Sequence, residues 1–402
     1  MLKSPLPVLL FANVISTSVV NLCIPALPLL AKDLCISAFI AQGTISIHMF
    51  GSFLGRIFWG PLSDIYGRRF LLVRGLAISI LGLAGCCLAT NIYYLLFFRA
   101  IQAIGSGVVL IISMVIVSDI STGAKRARNL GFIEASWPIS WIFAPIIGSF
   151  LCSISGWRAN FLFLFAMQFF SLLMVYLYIP ETLDQSSRSK SFSMGFSGYR
   201  LLLTNPSFMI YASMPGLILS GYMLFAVSAP FLYTIDFKFT IQEFAFIQAL
   251  PLLVSFCMTL SYRSIIKKLG EKTGLYLGIG FYTTFALLNI LMLLGIFTIT
   301  PYRLLFAICI QCLSSACLIP ACCSLALNNA PKGASGTAAS VISVLRNLIA
   351  SICLIFGSMI YTNGNPKQMI LSISLTIMLA FGLSIPLVKK FKNAGSNALP
   401  EK

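Results

Sequence analysis

Gly60-Pro61-Leu62-Ser63-Asp64-Ile65-Tyr66-Gly67-Arg68-Arg69 is a short polar stretch between two long apolar runs, roughly 40–59 and 70–89. Each run has about 20 residues, enough to cross a hydrocarbon core of about 30 Å as a helix. The joint between them must therefore lie at a membrane surface and reverse the chain tightly. Pro61 suits a helix stop and Gly67 a tight turn. Arg68 and Arg69 on so short a loop mark the cytoplasmic side. Asp64 beside two arginines reads either as a surface ion pair of little energetic worth or as a carboxylate kept for a purpose.

The rest of the chain agrees with a membrane setting. Of 402 residues, 58% are hydrophobic and only 9% are charged, with a mean hydropathy of +0.95, which no soluble protein of this size shows. The net charge of +17 is spread over short loops rather than gathered in a patch, which argues against nucleic acid and for anionic lipid head groups as partners. The 12 cysteines lack metal-ligand spacing, and the adjacent pairs Cys86-Cys87 and Cys322-Cys323 lie inside apolar runs, so neither a metal nor disulfides are expected. The N-terminal apolar run outlasts a signal-peptide core and reads as a retained first membrane helix.

Hydropathy predicts an all-α membrane protein of twelve helices, at roughly 5–30, 38–60, 70–89, 92–119, 128–153, 158–179, 207–233, 241–264, 272–297, 301–327, 334–360 and 368–390. With the N-terminus inside, Lys3, Arg68, Arg69, Arg74, Lys125, Arg126, Arg128, Arg188, Lys190, Arg200 and most later basic residues fall on the cytoplasmic side. The opposite loops keep Lys32, Arg158, Lys238, Arg303 and Lys367. That asymmetry predicts both termini in the cytoplasm. The serine-rich stretch 181–205 reads as a cytoplasmic linker between two six-helix bundles, 1–180 and 206–391, with a tail at 392–402. The bundles look like repeats: Tyr93, Leu95, Leu96, Phe97, Ile101 and Gln102 recur as Tyr302, Leu304, Leu305, Phe306, Ile310 and Gln311, and Gly67 is answered by Gly270.

Several intramembrane residues stand out. Pro25 and Pro28 kink the first helix just after Asn21. Arg99, Gln102 and Ser106 share one face of the fourth helix, and Arg99 aligns with Ile308 in the second half, so the repeat itself does not require the charge. Its alternatives are a functional cation and a structural arginine bonded to backbone carbonyls. Glu134, Trp137 and Trp141 share a face of the fifth helix, with Pro145 and Gly148 beyond them. Desolvation favours the neutral acid, which makes Glu134 a proton-carrier candidate; the alternative is a gate residue paired with Arg128 or Arg56. Arg346-Asn347 lies near mid-membrane, where an arginine would bind an anionic substrate group or neutralise an acid. His48 is the only histidine; Gly51 and Gly55 on its face suggest a packed core residue, with a proton relay as the alternative.

Gly-x-Leu-Ser-Asp-x-x-Gly-Arg-Arg after a second membrane helix closely resembles the loop signature of the major facilitator superfamily. The resemblance implies two pseudo-symmetric six-helix bundles with a substrate site between them, worked by alternating access. It also implies that Gly60, Asp64, Gly67, Arg68 and Arg69 form a gate, with Asp64 meeting the helix start at Gly333–Thr337. Arg99-x-x-Gln102-x-x-Gly105 resembles the superfamily's fourth-helix motif, whose arginine is implicated in proton transfer. Ala144-Pro145-Ile146-Ile147-Gly148-Ser149 is a degenerate match to the antiporter Gly-Pro-x-x-Gly-Gly pattern. Ile24-Pro25-Ala26-Leu27-Pro28, Gln42 and Ser228-Ala229-Pro230-Phe231 resemble the bicyclomycin/chloramphenicol-resistance drug:proton antiporters. One departure is Asn21, where that family usually has an aspartate, and asparagine carries no proton near neutral pH.

The expected function is secondary transport at a bacterial inner membrane, either drug efflux by proton antiport or uptake of a small, anionic metabolite. The expected cavity residues are Asn21, Gln102, Trp137, Trp141, Arg346 and Asn347, with Arg99, Glu134 and His48 as proton-coupling candidates. Expected partners are a small-molecule substrate, protons and the bilayer, with the chain acting as a monomer and without a cofactor. One histidine and no paired intramembrane carboxylates argue against an enzyme.

Overall fold

Capping chemistry marks where several helices begin. The side chains of Ser37, Asn91, Asn205 and Thr300 each accept a hydrogen bond from the backbone N–H three residues on, the N-cap arrangement that satisfies an otherwise orphan donor. The computed structural model describes residues 5–183, 201–269, 271–330, 335–361 and 365–396. Among them run twelve long helices: α1 Leu6–Asp33, α2 Ala38–Tyr66, α3 Arg68–Cys87, α4 Ile92–Ile120, α5 Gly123–Ser155, α6 Arg158–Tyr178, α7 Pro206–Asp236, α8 Ile241–Leu269, α9 Glu271–Leu293, α10 Pro301–Asn328, α11 Ser335–Ile360 and α12 Pro366–Ser396.

Ten of these are long and apolar enough to cross a membrane, making this an integral membrane protein. Helix α2 falls short because it buries Gln42, Thr44, Ser46, His48, Ser52 and Arg56.

The packing is pseudo-symmetric. In the first bundle α4 packs on α2 and α3, and α1 packs on α5 and α6; in the second α10 packs on α8 and α9, and α7 on α11 and α12. The seam between bundles repeats too, since α2 lies against α11 and α5 against α8. Burial repeats residue by residue: Tyr93 and Tyr302 are 81% and 72% exposed, Leu95 and Leu304 0% and 3%, Phe97 and Phe306 60% and 61%, and Gln102 and Gln311 are both 0%. Large apolar side chains on the outside are what a lipid-facing surface requires.

The cores are divided unequally. At the end away from the termini, one apolar core joins both bundles, running from Leu22, Ile24 and Leu27 of α1 through Phe225 and Tyr233 of α7 to Leu354 and Tyr361 at the end of α11. At the terminal end each bundle keeps a core of its own, one around Leu72, Val109 and Val117 and another around Phe208, Tyr211 and Val341.

One expectation changes. Pro61 does not stop α2, which continues through Gly60 and Pro61 to Tyr66; the reversal falls on Gly67 alone, at φ +103° and ψ 152°. A proline inside a helix removes only its own N–H bond, and the Ser63 hydroxyl donates to the Gly60 carbonyl at 2.7 Å across the same turn. Most of the expected linker, the last residues of the tail, Lys3, Gly270, Lys332, Gly333 and Ala334 lie outside the described residues.

Pro25 breaks α1 into a 3₁₀ turn at Ile24–Ala26, and Asn160 Nδ2 of α6 donates to the Leu22 carbonyl beside the break at 3.0 Å. Gly148 of α5 lies against that same carbonyl, so a Cβ there would meet Leu22 O at 2.1 Å. Gly148→Val should therefore force α1 and α5 apart and lower folded yield and melting temperature in detergent, at a cost of about 3 kcal/mol or more. Gly43→Ala, where a Cβ meets nothing within 4 Å, is the neutral control. Equal stability of the two variants would contradict the packing assigned to Gly148.

Candidate functional site

Between the bundles lies a cavity of about 50 Å³, lined by residues of α1, α2, α4, α5, α7 and α11. Helix α1 supplies Asn13, Ser16, Thr17 and Val20; α2 supplies His48, Met49, Ser52 and Arg56, which recur every three or four residues along one face. Trp137 and Trp141 come from α5 and Asn347 from α11. Polar side chains tie the wall to the scaffold: Thr17 and Ser140 share a hydrogen bond of 2.6 Å, and Asn347 Nδ2 donates to the Ser343 carbonyl at 2.8 Å.

A stack of flat groups crosses the seam. The Arg346 guanidinium of α11 sits 4.5 Å above the Trp137 ring, Trp137 stacks on Trp141 at 4.9 Å and 22°, and Trp141 stacks on Tyr222 of α7 at 5.8 Å and 25°. The ladder thus starts and ends in the second bundle while its middle belongs to the first. A desolvated cation–π contact of this kind contributes about 2 kcal/mol.

The electrostatics are one-sided. Arg56 is 6% exposed; its Nη1 donates to Ser343 Oγ at 3.0 Å and its Nε has no partner. Arg346 Nε and the Trp137 indole N–H are unpartnered as well. Arg56 feels repulsion from Arg346 and attraction from Glu134. Among the described residues no carboxylate lines the cavity, and none forms an ion pair with Arg56, Arg99 or Arg346. The centre of the protein therefore offers several N–H donors and positive charge with no resident anion.

Sequence-singled residues divide accordingly. Trp137, Trp141 and Asn347 line the cavity, and Arg346 stands on Trp137 beside it. Asn21 does not line it: the residue is wholly buried past the cavity's end, and neither amide atom has a partner. Gln102 sits behind the wall, accepting on Oε1 from Arg99 Nη1 at 3.4 Å and meeting His48 Nδ1 at 2.9 Å. Arg99 is 0% exposed, 5.3 Å from the Phe161 ring centroid and against Cys23, with Nε and Nη2 unpartnered; it reaches the cavity only through Gln102 and His48.

His48 is both packed and cavity-lining, so the small-residue stripe beside it does not close it off. Gly51 and Gly55 meet Ala103 and Ile104 of α4, leaving the imidazole free to face the seam. Glu134 is exposed rather than desolvated and forms an ion pair with neither Arg128 nor Arg56, although its charge acts on Arg56 across the seam. Arg56 was not among the cavity residues expected, although its place eight residues after His48, on the same face as Ser52, was a readable signal.

The gate motif is satisfied inside the first bundle. Arg68 donates to Asp64 and to Ser63 Oγ, and its Nε lies 3.5 Å from the Asp119 carboxylate of α4. Arg69 Nη2 donates to the Tyr176 carbonyl of α6 at 2.6 Å. Gly67 lies against the Glu181 carboxylate, which accepts from the backbone N–H groups of Arg68, Thr182 and Leu183 at 2.9, 3.0 and 3.1 Å, an anion at the start of α3. Gly60 meets nothing a Cβ would disturb. Asp64 pairs with Arg68, four residues on, and stays half-exposed; Gly333 and Ala334, where its partner in the other bundle was expected, lie outside the described residues.

Known proteins agree with this architecture. The D-xylose–proton symporter superposes with a TM-score of 0.75 over 94% of this chain and 96% of that one at 13% identity, which speaks for the fold alone. Among curated relatives, the uncharacterized MFS-type transporter YdgK of Bacillus subtilis is 30% identical over 218 residues, 53% of this chain and 54% of that one. Citrate exporter 1 of Aspergillus niger is 30% identical over 163 residues, 40% and 31% of the two chains, and the multi-drug resistance efflux pump PmrA of Streptococcus pneumoniae is 27% identical over 194 residues, 47% and 48%. The chain matches at most about half the length of these relatives. The model of the Major Facilitator Superfamily, by contrast, matches residues 9–354. With two pseudo-symmetric six-helix bundles enclosing a polar cavity at their seam, the chain belongs to the Major Facilitator Superfamily.

Proposed function

We propose that this transporter carries a small organic anion with an aromatic or apolar body, by alternating access. The observation that carries the reading is the pair Arg56 and Arg346, set on opposite bundles beside the cavity with unpartnered Nε groups and no carboxylate bound to either. An arginine in the middle of a membrane protein costs about 3 kcal/mol on insertion scales, so an anion arriving from solution recovers energy the empty site lacks. The Trp137–Trp141 stack supplies the flat apolar wall for the substrate's body.

The same charges couple binding to movement. Arg56 and Arg346 repel across the α2–α11 seam, and an anion between them turns that repulsion into attraction to a shared counterion. The cavity of about 50 Å³ is well below the roughly 300 Å³ of a small-molecule site, so the bundles part to admit the substrate and close around it. One core shared at the end away from the termini, and separate cores at the terminal end, support a state shut at the former. With the termini in the cytoplasm of a bacterial inner membrane, as the lysine and arginine bias supports, this is the state poised to open inward.

A second reading, proton-coupled efflux of amphipathic drugs, is favoured by Glu134. It is the acid whose charge acts on Arg56 at the seam between bundles. In that reading Arg56 is the opposing cation, because Arg99 is sealed behind His48 and Gln102.

In proteoliposomes, Arg56→Gln and Arg346→Gln should each reduce transport of aromatic carboxylates at least tenfold, while permanently cationic compounds are not carried by the unmodified protein. Wild-type carboxylate flux in both variants would remove the anion reading. Glu134→Gln separates the two readings. Under proton coupling it abolishes flux driven by a pH gradient and preserves equilibrium exchange, whereas flux with an unaltered pH response in this variant excludes Glu134 as the coupling group.

A further inference from the structure

A second, larger cavity of about 940 Å³ opens at the end away from the termini, where the α1–α2 and α7–α8 connections meet the end of α11. It shares no lining residue with the central cavity. Its walls are mostly apolar, with Phe39 from α2 and Phe231 from α7. Two opposite charges line it from opposite bundles: Lys32 in the last turn of α1 and Asp236 in the last turn of α7. They are not within ion-pair distance of one another. This is the end where the bundles already share a core, so the charges stand apart in the closed arrangement rather than awaiting closure.

Tyr361 supplies an independent observation. It lines the same cavity, is 0% exposed, and its hydroxyl has no hydrogen-bond partner. Asp236 lies close enough to act on that hydroxyl electrostatically. A buried hydroxyl without a partner is a costly feature unless something visits it. A cavity of this size with apolar walls and a few polar groups has the make-up of a small-molecule site.

We propose that this outer vestibule is a second ligand site, for an amphipathic zwitterion. Asp236 and the Tyr361 hydroxyl receive the ammonium end, Lys32 receives the anionic end, and the apolar body lies against Phe39 and Phe231. Cationic or anionic amphipaths satisfy only one of the two charges and leave the other facing them with like sign. A soluble zwitterion and a zwitterionic phospholipid head group present the same chemistry, and the test separates them.

The reporter is Cys35, an exposed thiol immediately before the lining residue Ile36, in the full-length protein with the other exposed cysteine, Cys257, replaced by serine. Its maleimide labelling rate is measured in nanodiscs with octyl-dimethylammonio-propanesulfonate, octyltrimethylammonium or octyl sulfate. In phosphatidylglycerol discs the zwitterion should slow labelling at about tenfold lower concentration than either charged probe. Asp236→Asn and Lys32→Gln should each remove that preference, and Tyr361→Phe, which deletes one oxygen, should weaken protection about threefold. Labelling already slow in phosphatidylcholine discs without any probe, and restored by Asp236→Asn, supports the site with lipid as its occupant. Equal protection by all three probes, or protection indifferent to the Asp236 and Lys32 variants, overturns the proposal.

Discussion

The organising constraint is positive charge held in an apolar interior without a resident counterion. Arg56 on α2 and Arg346 on α11 face the seam between bundles, and the nearest acid, Glu134, influences Arg56 without bonding to it. A soluble protein would hydrate such groups; here the neighbours are tryptophan rings, a serine hydroxyl and a helix packed face to face. The guanidinium plane tolerates this because one face can lie on an aromatic ring while its edge keeps donors for a visitor. The aromatic ladder from Arg346 to Tyr222 is therefore structural and chemical at once: it holds the seam together and leaves N–H groups unspent.

Repetition and its exceptions have different jobs. The two bundles repeat their helix contacts, their N-caps at Asn91 and Thr300, and the burial of corresponding residues such as Gln102 and Gln311. Duplication of that kind yields a seam with equivalent contacts on both sides, which is what a rocking motion between halves requires. Charged side chains stand at positions that break the repeat. Arg99 and Ile308 fill corresponding, equally buried places, one with a guanidinium wedged among Gln102, Cys23 and Phe161, the other with a plain hydrocarbon. Arg99 is linked to the cavity-lining His48 through the Gln102 amide oxygen that both of them meet.

Polar satisfaction within a bundle explains the loop motif. Arg68 joins Asp64, Ser63 and Asp119, Arg69 reaches the backbone of α6, and Glu181 covers the start of α3. These contacts fasten α2, α3, α4 and α6 into one rigid unit at the terminal end. A unit that moves as a body needs such fastening, since its relative motion is concentrated at the seam.

Local pattern alone determined a great deal about this chain. Long apolar runs, a proline pair after Asn21, caps ahead of helices and a repeated hexad dictate twelve helices in two related bundles, because backbone hydrogen bonds in a bilayer must be met within each helix and that demand is written at a period of 3.6. The same period placed Trp137 with Trp141 on one face and both reached the cavity. What periodicity cannot state is which neighbour a face will meet. Asn21 is sealed away from the cavity, Glu134 stays exposed without an ion pair, and Arg56, read from the sequence only as a partner for Glu134, lines the cavity itself. Each of these outcomes depends on the rotation and approach of a second helix distant in sequence, and only the packed bundles decide them.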